Sequence, residues 1–338
     1  MPNKRKQYLW IPYLSDLKIT PKTVEFNYKG GSLLIEWTKI HSIMLYGETV
    51  DLSQKFLEKC AFYKIPLIIH RRNLSRAVFV TPTLASDQNQ LLSKQILYRQ
   101  NRKKRAYIAK RLLQAKFKSC NWLFPVKRDL LYRVTKIEDM LGIESWHARE
   151  YWQLYYQRLK LSDASRRKKD NCLTASLDAV SKFVSGVFLR WILYHNLNPF
   201  YGFLHQPTDY PALVYDLFEP YRGYFDQVVF KTLKNLDLTK VKKSYAIGLA
   251  IEAVKKMFDK QIYVHATRQI VSFHQLIHGI VLALRAYLLG ESPRFVVPLP
   301  SRPNGGRPIK AGYVLYGHKA GVTDFWTRAR NLLIEKVI

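Results

Sequence analysis

The chain has 338 residues, of which 55 are Lys or Arg and 25 are Asp or Glu, giving a formal net charge of +30. A hydrophobic share of 48% excludes intrinsic disorder and suffices for one or two ordinary cores, so two domains are expected at roughly 100–200 residues each. Such a surplus of positive charge repels itself in a compact chain unless a polyanion sits on it, which makes nucleic acid the first partner to expect. Cys60, Cys120 and Cys172 form no CxxC pair, which argues against a zinc site or a disulfide framework and predicts free thiols in a reducing, cytoplasmic setting. The opening MPNKRKQYLW carries no apolar segment typical of a leader, and no uninterrupted apolar stretch approaches the ~20 residues that span a bilayer, so no membrane partner is expected.

In chain order, Val24–Tyr28 and Ser32–Trp37 alternate in the manner of strands around a turn at Lys29-Gly30-Gly31. Ile43–Gly47 is a short apolar run, Asp51–Tyr63 has helical period, and Ile65–His70 and Ala77–Val80 read as further strands. Residues 1–85 are therefore expected to be a small β-rich domain. From Ser86 to about Phe124 no turn signal interrupts a helical spacing of Leu91, Leu92, Ile96, Ile108, Leu112 and Leu113, which predicts one long helix. Residues 88–128 hold no acidic residue, so this helix, which also carries Lys116 and Lys118, is expected to track phosphates through Arg99, Arg102, Lys103, Lys104, Arg105, Lys110 and Arg111, with Arg149, Arg166, Arg167, Lys168, Lys169 and Arg222 as further expected DNA contacts. Further helices are predicted at Asp129–Met140, Ser145–Leu159, Leu173–Tyr194, Tyr224–Leu236, Lys243–Phe258 and Gln269–Leu289, with a basic loop at Arg166-Arg167-Lys168-Lys169 and an irregular, basic, Pro-rich tail. The fold class expected is α+β, with residues 86–338 forming a larger all-α domain.

In so basic a chain, acids set in apolar sequence stand out, and three places qualify. Glu144 follows a glycine expected to turn the chain and opens a helix carrying Arg149. His205 closes the apolar run Gly202-Phe203-Leu204. Asp216 and Glu219, three apart on a helical turn, are expected on one face among Leu213, Val214, Leu217 and Phe218, either joined by a cation or paired with Arg222.

The segments GIESWHAREYW, NPFYGFLH and LVYDLFEPYRGYFDQVV, in this order, resemble the CRISPR-associated integrase family, the larger of the two universal spacer-acquisition proteins. Ile40–Gly47 and Lys64–Ile69 look like that family's β-domain, and Arg99–Lys118 like its linker helix. The resemblance implies a Mg²⁺ or Mn²⁺ site of Glu144, His205 and Glu219, supported by Asp216. It implies a metal-dependent DNA endonuclease and integrase that joins the 3′-hydroxyl ends of short prespacer DNA into a CRISPR repeat next to its leader. It further implies a homodimer or higher homo-oligomer, with a small ferredoxin-like adaptation protein as a further partner. Two departures stand out: Asp178-Ala179-Val180-Ser181 has serine where many members carry asparagine, and Trp146-His147 is bulkier than usual.

Two other readings are open. His265 and Arg268 have the His-x-x-Arg spacing of a tyrosine recombinase, with Tyr287 or Tyr313 as nucleophile, and His274 and His278 share a helix face. Alternatively the chain is a non-catalytic nucleic-acid-binding scaffold. Tyr151, Trp152 and Tyr155 are expected in a helix core rather than stacked on bases.

Overall fold

The computed structural model describes residues 6–70, 77–82, 90–126, 129–161, 171–207, 209–301 and 315. The strands are β1 (Gln7–Ile19), β2 (Thr23–Tyr28), β3 (Gly31–Glu36), β4 (Ile40–Thr49), β5 (Leu67–His70) and β6 (Val78–Val80), with helix α1 (Gln54–Phe62) between β4 and β5. They form one mixed sheet in the order β3-β2-β1-β4-β5-β6, parallel at β1/β4 and β4/β5 and antiparallel elsewhere. Both faces of its centre are buried. Leu9, Ile11, Ile43, Leu45 and Leu67 point to Trp37 and to Phe56 of α1, whereas the alternate residues Tyr8, Met44 and Ile68 join the core of the helical part. Strand β1 has no counterpart among the sequence expectations. A central strand containing Pro12 is unusual, and it is accommodated because the β1/β4 register slips between Pro12 and Leu14, with Tyr13 at φ 51°.

The helices are α2 (Leu91–Gln100), α3 (Arg102–Cys120), α4 (Ile137–Arg158), α5 (Cys172–Tyr194), α6 (Ala212–Phe218), α7 (Arg222–Leu233), α8 (Lys243–Asp259) and α9 (Phe273–Leu288). A 3₁₀ turn, Glu219–Tyr221, links α6 to α7. The single helix expected over 86–124 is two helices, because Asn101 leaves helical geometry and its side chain accepts the Lys104 N–H at 3.0 Å as an N-cap. Of the helix expected at 129–140 only residues 137–140 are helical, 129–136 being turn and loop, and they run on into the helix expected at 145–159: Gly142 lies inside α4, where the burial of Ile137 and Met140 against Leu113 and Phe117 outweighs the weak helix propensity of glycine. The helix expected from Gln269 begins four residues later. Gln269–Ser272 is strand β8, pairing with β7 (Gln261–Val264), which also pairs with β9 (Pro300–Ser301); a capping box of Ser272 and Gln275 starts α9. The architecture is α+β, a β-rich N-terminal part followed by a mostly helical one. The expected boundary at 85, the Arg166–Lys169 loop and most of the Pro-rich tail lie outside the described residues.

Helix α5 is the centre of the helical part. By length and composition it could cross a membrane, but 83% of its most apolar window is buried inside the fold, against α8, α9 and the sheet. Its Gly186 meets the sheet closely, a Cβ there lying 3.1 Å from Ile68 Cδ1, and Asp178 pairs with His70 of β5 at 3.2 Å. The three cysteines are free and buried, and burial pushes the Cys60 and Cys120 thiols up to about 12. At the far end of α5, His195 Nε2 lies 2.6 Å from His278 Nε2 of α9, and the His278 ring stacks on Trp191. That contact needs one protonated and one bare nitrogen. Burial, and then the Arg285 charge, push His195 down to about 4; burial, with His195 and His274, pushes His278 to about 2.

Two stability predictions follow from this packing. A Cβ at Gly223 would sit 2.3 Å from the Ser119 carbonyl oxygen, whereas Gly142 has nothing within 4 Å. Gly223→Ala should therefore lower the denaturant midpoint by about 1–3 kcal/mol equivalent, and Gly142→Ala should raise it by about 0.5–1 kcal/mol. Because the folded chain holds His195 and His278 neutral, their contribution is present above pH 6.5 and is lost as pH falls from there through about 4. Unfolding midpoints should fall over that window, and His195→Phe should make the slope shallower.

Candidate active site

Lys116 is on the inward face of α3, only 6% exposed, in a stretch where Ala115 and Phe117 are also buried. Its ammonium contacts Glu144 of α4 and lies 2.7 Å from Glu219 Oε2. Arg222, one turn beyond Glu219, grips the same carboxylate from Nη2 at 2.5 Å and from Nε at 3.0 and 3.1 Å. Burial opposes the charge on Glu219, but Arg222 and Lys116 more than offset it and hold the carboxyl well below the usual range. Burial likewise opposes the Lys116 charge, and Glu219 and Glu144 reverse the balance, so its pKa is raised. The expected Arg222 salt bridge is present, and Lys116, from the acid-free stretch 88–128, adds a second cation.

Asp216, fully buried, has a different task. Its Oδ2 accepts the backbone N–H of Phe203 at 2.5 Å and of Leu204 at 2.9 Å, and its Oδ1 accepts the His205 N–H at 3.1 Å and faces His205 Nδ1 at 2.7 Å. Asp216 and Glu219 thus do not share a cation; one organises the His205 loop and the other faces Lys116 and Arg222. Gly202 permits the Asp216 contact, since a Cβ there would be 2.8 Å from Asp216 Oδ2. The loop is also held by Gln95 of α2, whose amide donates to the Asn198 and Tyr201 carbonyls at 2.9 and 2.8 Å, and by Arg99, which donates to the Gly202 and Gln206 carbonyls at 3.1 and 2.6 Å. Burial tends to lower the His205 pKa, and the Asp216 hydrogen bond and charge raise it beyond that.

Two hollows flank Glu219 and Arg222. A cleft of about 490 Å³ carries His205, Lys182, Phe79 and Tyr215 on its walls; a smaller pocket of about 150 Å³ carries Glu144, Lys116 and His147. Burial, reinforced by Lys116, pushes His147 down to about 4. Among the described residues no three His, Cys, Asp or Glu side chains are grouped so as to hold a metal ion together. In chemistry the donors nevertheless fit Mg²⁺ or Mn²⁺: two carboxylates turned toward one cationic atom, and an imidazole whose Nδ1 is fixed by a buried carboxylate, leaving Nε2 as the donor.

The basic residues expected to meet DNA divide into two sets. Arg102, Lys103 and Lys104, at the start of α3, and Arg149 on α4 are exposed. Arg99 ties the His205 loop, Lys110 donates to the Tyr132 and Val134 carbonyls, Arg111 donates to the Phe295 carbonyl, and Arg222 holds Glu219. Arg105 is half-buried. Helix α3 is therefore not an open phosphate track along its length: from Ile108 onward it is a core helix in which Lys110, Arg111 and Lys116 bind carbonyls and carboxylates, and Lys118 is exposed. Arg166, Arg167, Lys168 and Lys169 lie outside the described residues. Tyr151 and Tyr155 are core, both directed at Asp226, at 3.3 and 2.8 Å. Tyr287 packs among Tyr98, Tyr107 and Phe295, Tyr313 lies outside the described residues, and the ring facing His265 is that of Tyr263, 6.4 Å away between centroids.

Comparison with known proteins places this geometry. The family described as CRISPR associated protein Cas1 matches residues 13–261. A curated relative, the CRISPR-associated endonuclease Cas1 of Thermotoga maritima, is 24% identical over 205 residues, which are 56% of this chain and 64% of that protein, so the match spans a little under two thirds of the relative. Among solved structures, a casposase bound to integration product superposes with a TM-score of 0.74 at 15% identity, covering 98% of this chain and all of that one. A Cas1 protein from Thermotoga maritima superposes with a TM-score of 0.69 at 19% identity, covering 85% and 98%. These likenesses show the fold, and the family match extends from the first strand of the sheet through all the residues around Glu144, His205 and Glu219. The chain belongs to the CRISPR-associated Cas1 family.

Proposed function

We propose that this chain is a metal-dependent DNA endonuclease and integrase that joins the 3′-hydroxyl ends of short DNA into a CRISPR repeat. The observation that carries the reading is the convergence of Glu144 and Glu219 on one cation position, beside a His205 pinned by Asp216. The casposase of the same fold is described as bound to integration product, which supports strand joining as the reaction.

Glu144, Glu219 and His205 Nε2 would hold Mg²⁺ or Mn²⁺, which when bound supplies Lewis-acid stabilisation of charge on the scissile phosphate. The remaining work falls to the chain's own groups. Asp216 accepts a hydrogen bond from Nδ1–H of His205, so that in the neutral ring Nε2 is the nitrogen free to take a metal. Lys116 and Arg222 keep Glu219 ionised in a buried setting. The exposed Arg102, Lys103, Lys104 and Arg149 contact the duplex backbone. The 3′-hydroxyl of one DNA attacks phosphorus in the target strand, the new P–O bond forms as the target 3′-oxygen leaves, and the hydroxyl proton ends on the leaving oxygen or solvent. One phosphodiester replaces another, so no nucleoside triphosphate is consumed; with water as nucleophile the product is a nick. A second copy of this chain, double-stranded DNA and a small ferredoxin-like adaptation protein are the partners proposed.

Glu144→Ala, His205→Ala and Glu219→Ala should each reduce joining of a 3′-ended DNA to a repeat-containing target by at least ~10²-fold, as should EDTA, while duplex binding measured by anisotropy persists. If no condition yields a joined product while DNA binds, the chain is a scaffold, a reading favoured by the neutralisation of Glu144 and Glu219 by Lys116 and Arg222.

A second prediction separates positioning from binding. Arg99→Ala frees the His205 loop and should lower the joining rate by up to ~10²-fold with little change in DNA affinity. Lys103→Ala should leave the rate at saturating DNA unchanged, weaken binding, and reduce the slope of log K against log salt by about 0.9.

A further inference from the structure

His147 lies one helical turn after Glu144 on α4, so the two side chains share a face of that helix. It is 1% exposed, and neither Nδ1 nor Nε2 has a hydrogen-bond partner. One side of the ring is packed by Phe117 at 4.3 Å and Phe124 at 5.2 Å between centroids, with Tyr151 nearly parallel at 6.4 Å. Beyond them His147 lines the same pocket of about 150 Å³ as Glu144, Lys116 and Glu219. Buried polar groups are nearly always paired, and in this aromatic setting phenylalanine would fill the space without leaving two nitrogens unsatisfied. An unpaired imidazole facing a pocket with two carboxylates is a donor with no acceptor of its lone pair.

We infer that His147 is a second imidazole donor to a divalent cation held between Glu144 and Glu219, and that it biases the site toward Mn²⁺ over Mg²⁺. The inference rests on the reading of Glu144 and Glu219 as metal ligands. The bias follows from ligand chemistry: Mg²⁺ demands oxygen donors in a near-octahedral shell, whereas imidazole nitrogen favours the transition metal. A carboxylate and an imidazole three residues apart lie on one face of the helix, and both line the same pocket.

The test is direct metal binding by the full chain, independent of turnover. Mn²⁺ is titrated into the wild type, His147→Phe and Glu144→Ala, with bound metal read by electron paramagnetic resonance and the directly coordinated nitrogens counted by its pulsed form; Mg²⁺ is titrated in competition. The wild type should show two nitrogens and His147→Phe one, with Mn²⁺ affinity lowered roughly 10–100-fold and Mg²⁺ affinity changed much less. His147→Phe keeps a ring among Phe117, Phe124 and Tyr151, so its thermal unfolding without metal should match or exceed the wild type; should it unfold, His147→Asn carries the same measurements. Wild-type nitrogen count and affinity in either variant overturn the inference alone, provided Glu144→Ala abolishes binding. Mn²⁺ binding that is absent from the wild type, or indifferent to Glu144→Ala, overturns the metal-site reading together with it.

Discussion

Four charged side chains decide how the helical part of the molecule closes: Lys116 from α3, Glu144 from α4, and Glu219 with Arg222 at the turn into α7. Two cations and two anions leave the cluster formally neutral, which is what makes its burial tolerable. Each charge taken from water costs several kcal/mol, repaid only when all partners are in place with good geometry. Removing one member leaves an uncompensated charge in the interior, so the cluster fixes the register of three helices more strictly than apolar packing would. Gly223 belongs to the same constraint. Glu219, with Arg222 on its other side, reaches Lys116 where the start of α7 lies against the Ser119 carbonyl, in space that any side chain would fill.

The acids of this cluster were legible in the sequence, and its cations were not. Glu144, Asp216 and Glu219 stand out because a chain with 55 basic residues has few acids, and these are set among apolar neighbours. Lys116 looked like one more member of an acid-free basic run. A finer signal was available: Ile108, Leu112 and Lys116 recur at i, i+4, which puts the lysine on the apolar stripe of α3 rather than its solvent side. Gln95 and Arg99 left no such trace, since their partners are loop carbonyls about a hundred residues away and main-chain acceptors carry no sequence signature. Local propensity also misplaced boundaries where tertiary packing prevails, as at Gly142 inside α4 and Pro12 inside β1, while a single capping side chain, Asn101, broke a helix that periodicity ran straight through.

The surplus of positive charge is accordingly not one property. Part of it is structural, spent on carbonyls and carboxylates by Arg99, Lys110, Arg111, Lys116 and Arg222, and by Arg190, which is 7% exposed and donates to the Tyr63 carbonyl to tie α5 to the end of α1. Such cations are screened from any external polyanion by their own partners. Those left to meet one are on exposed faces, and among the described residues they include Arg102 to Lys104, Lys118, Arg133, Lys136 and Arg149. Net charge therefore indicates the class of partner but overstates the number of side chains that can touch it.

The sheet is tied to the same site. Strand β6 contributes Phe79 to the wall of the cleft that carries His205, Glu219 and Arg222, opposite Tyr215 and Lys182, whose ammonium lies 2.6 Å from the Tyr215 hydroxyl. What places β6 there is the docking of β4 and β5 on α5, through Gly186 against Ile68 and Asp178 against His70. The same helix anchors Lys182 to the cleft. Anything that enters the cleft is therefore held between a strand of the N-terminal sheet and the loop that Asp216 organises, and the α5–sheet contact governs the spacing between them. A residue such as Gly186, far in sequence from every acid in the site, acts on the width of the cleft by setting how closely the sheet can approach the helix.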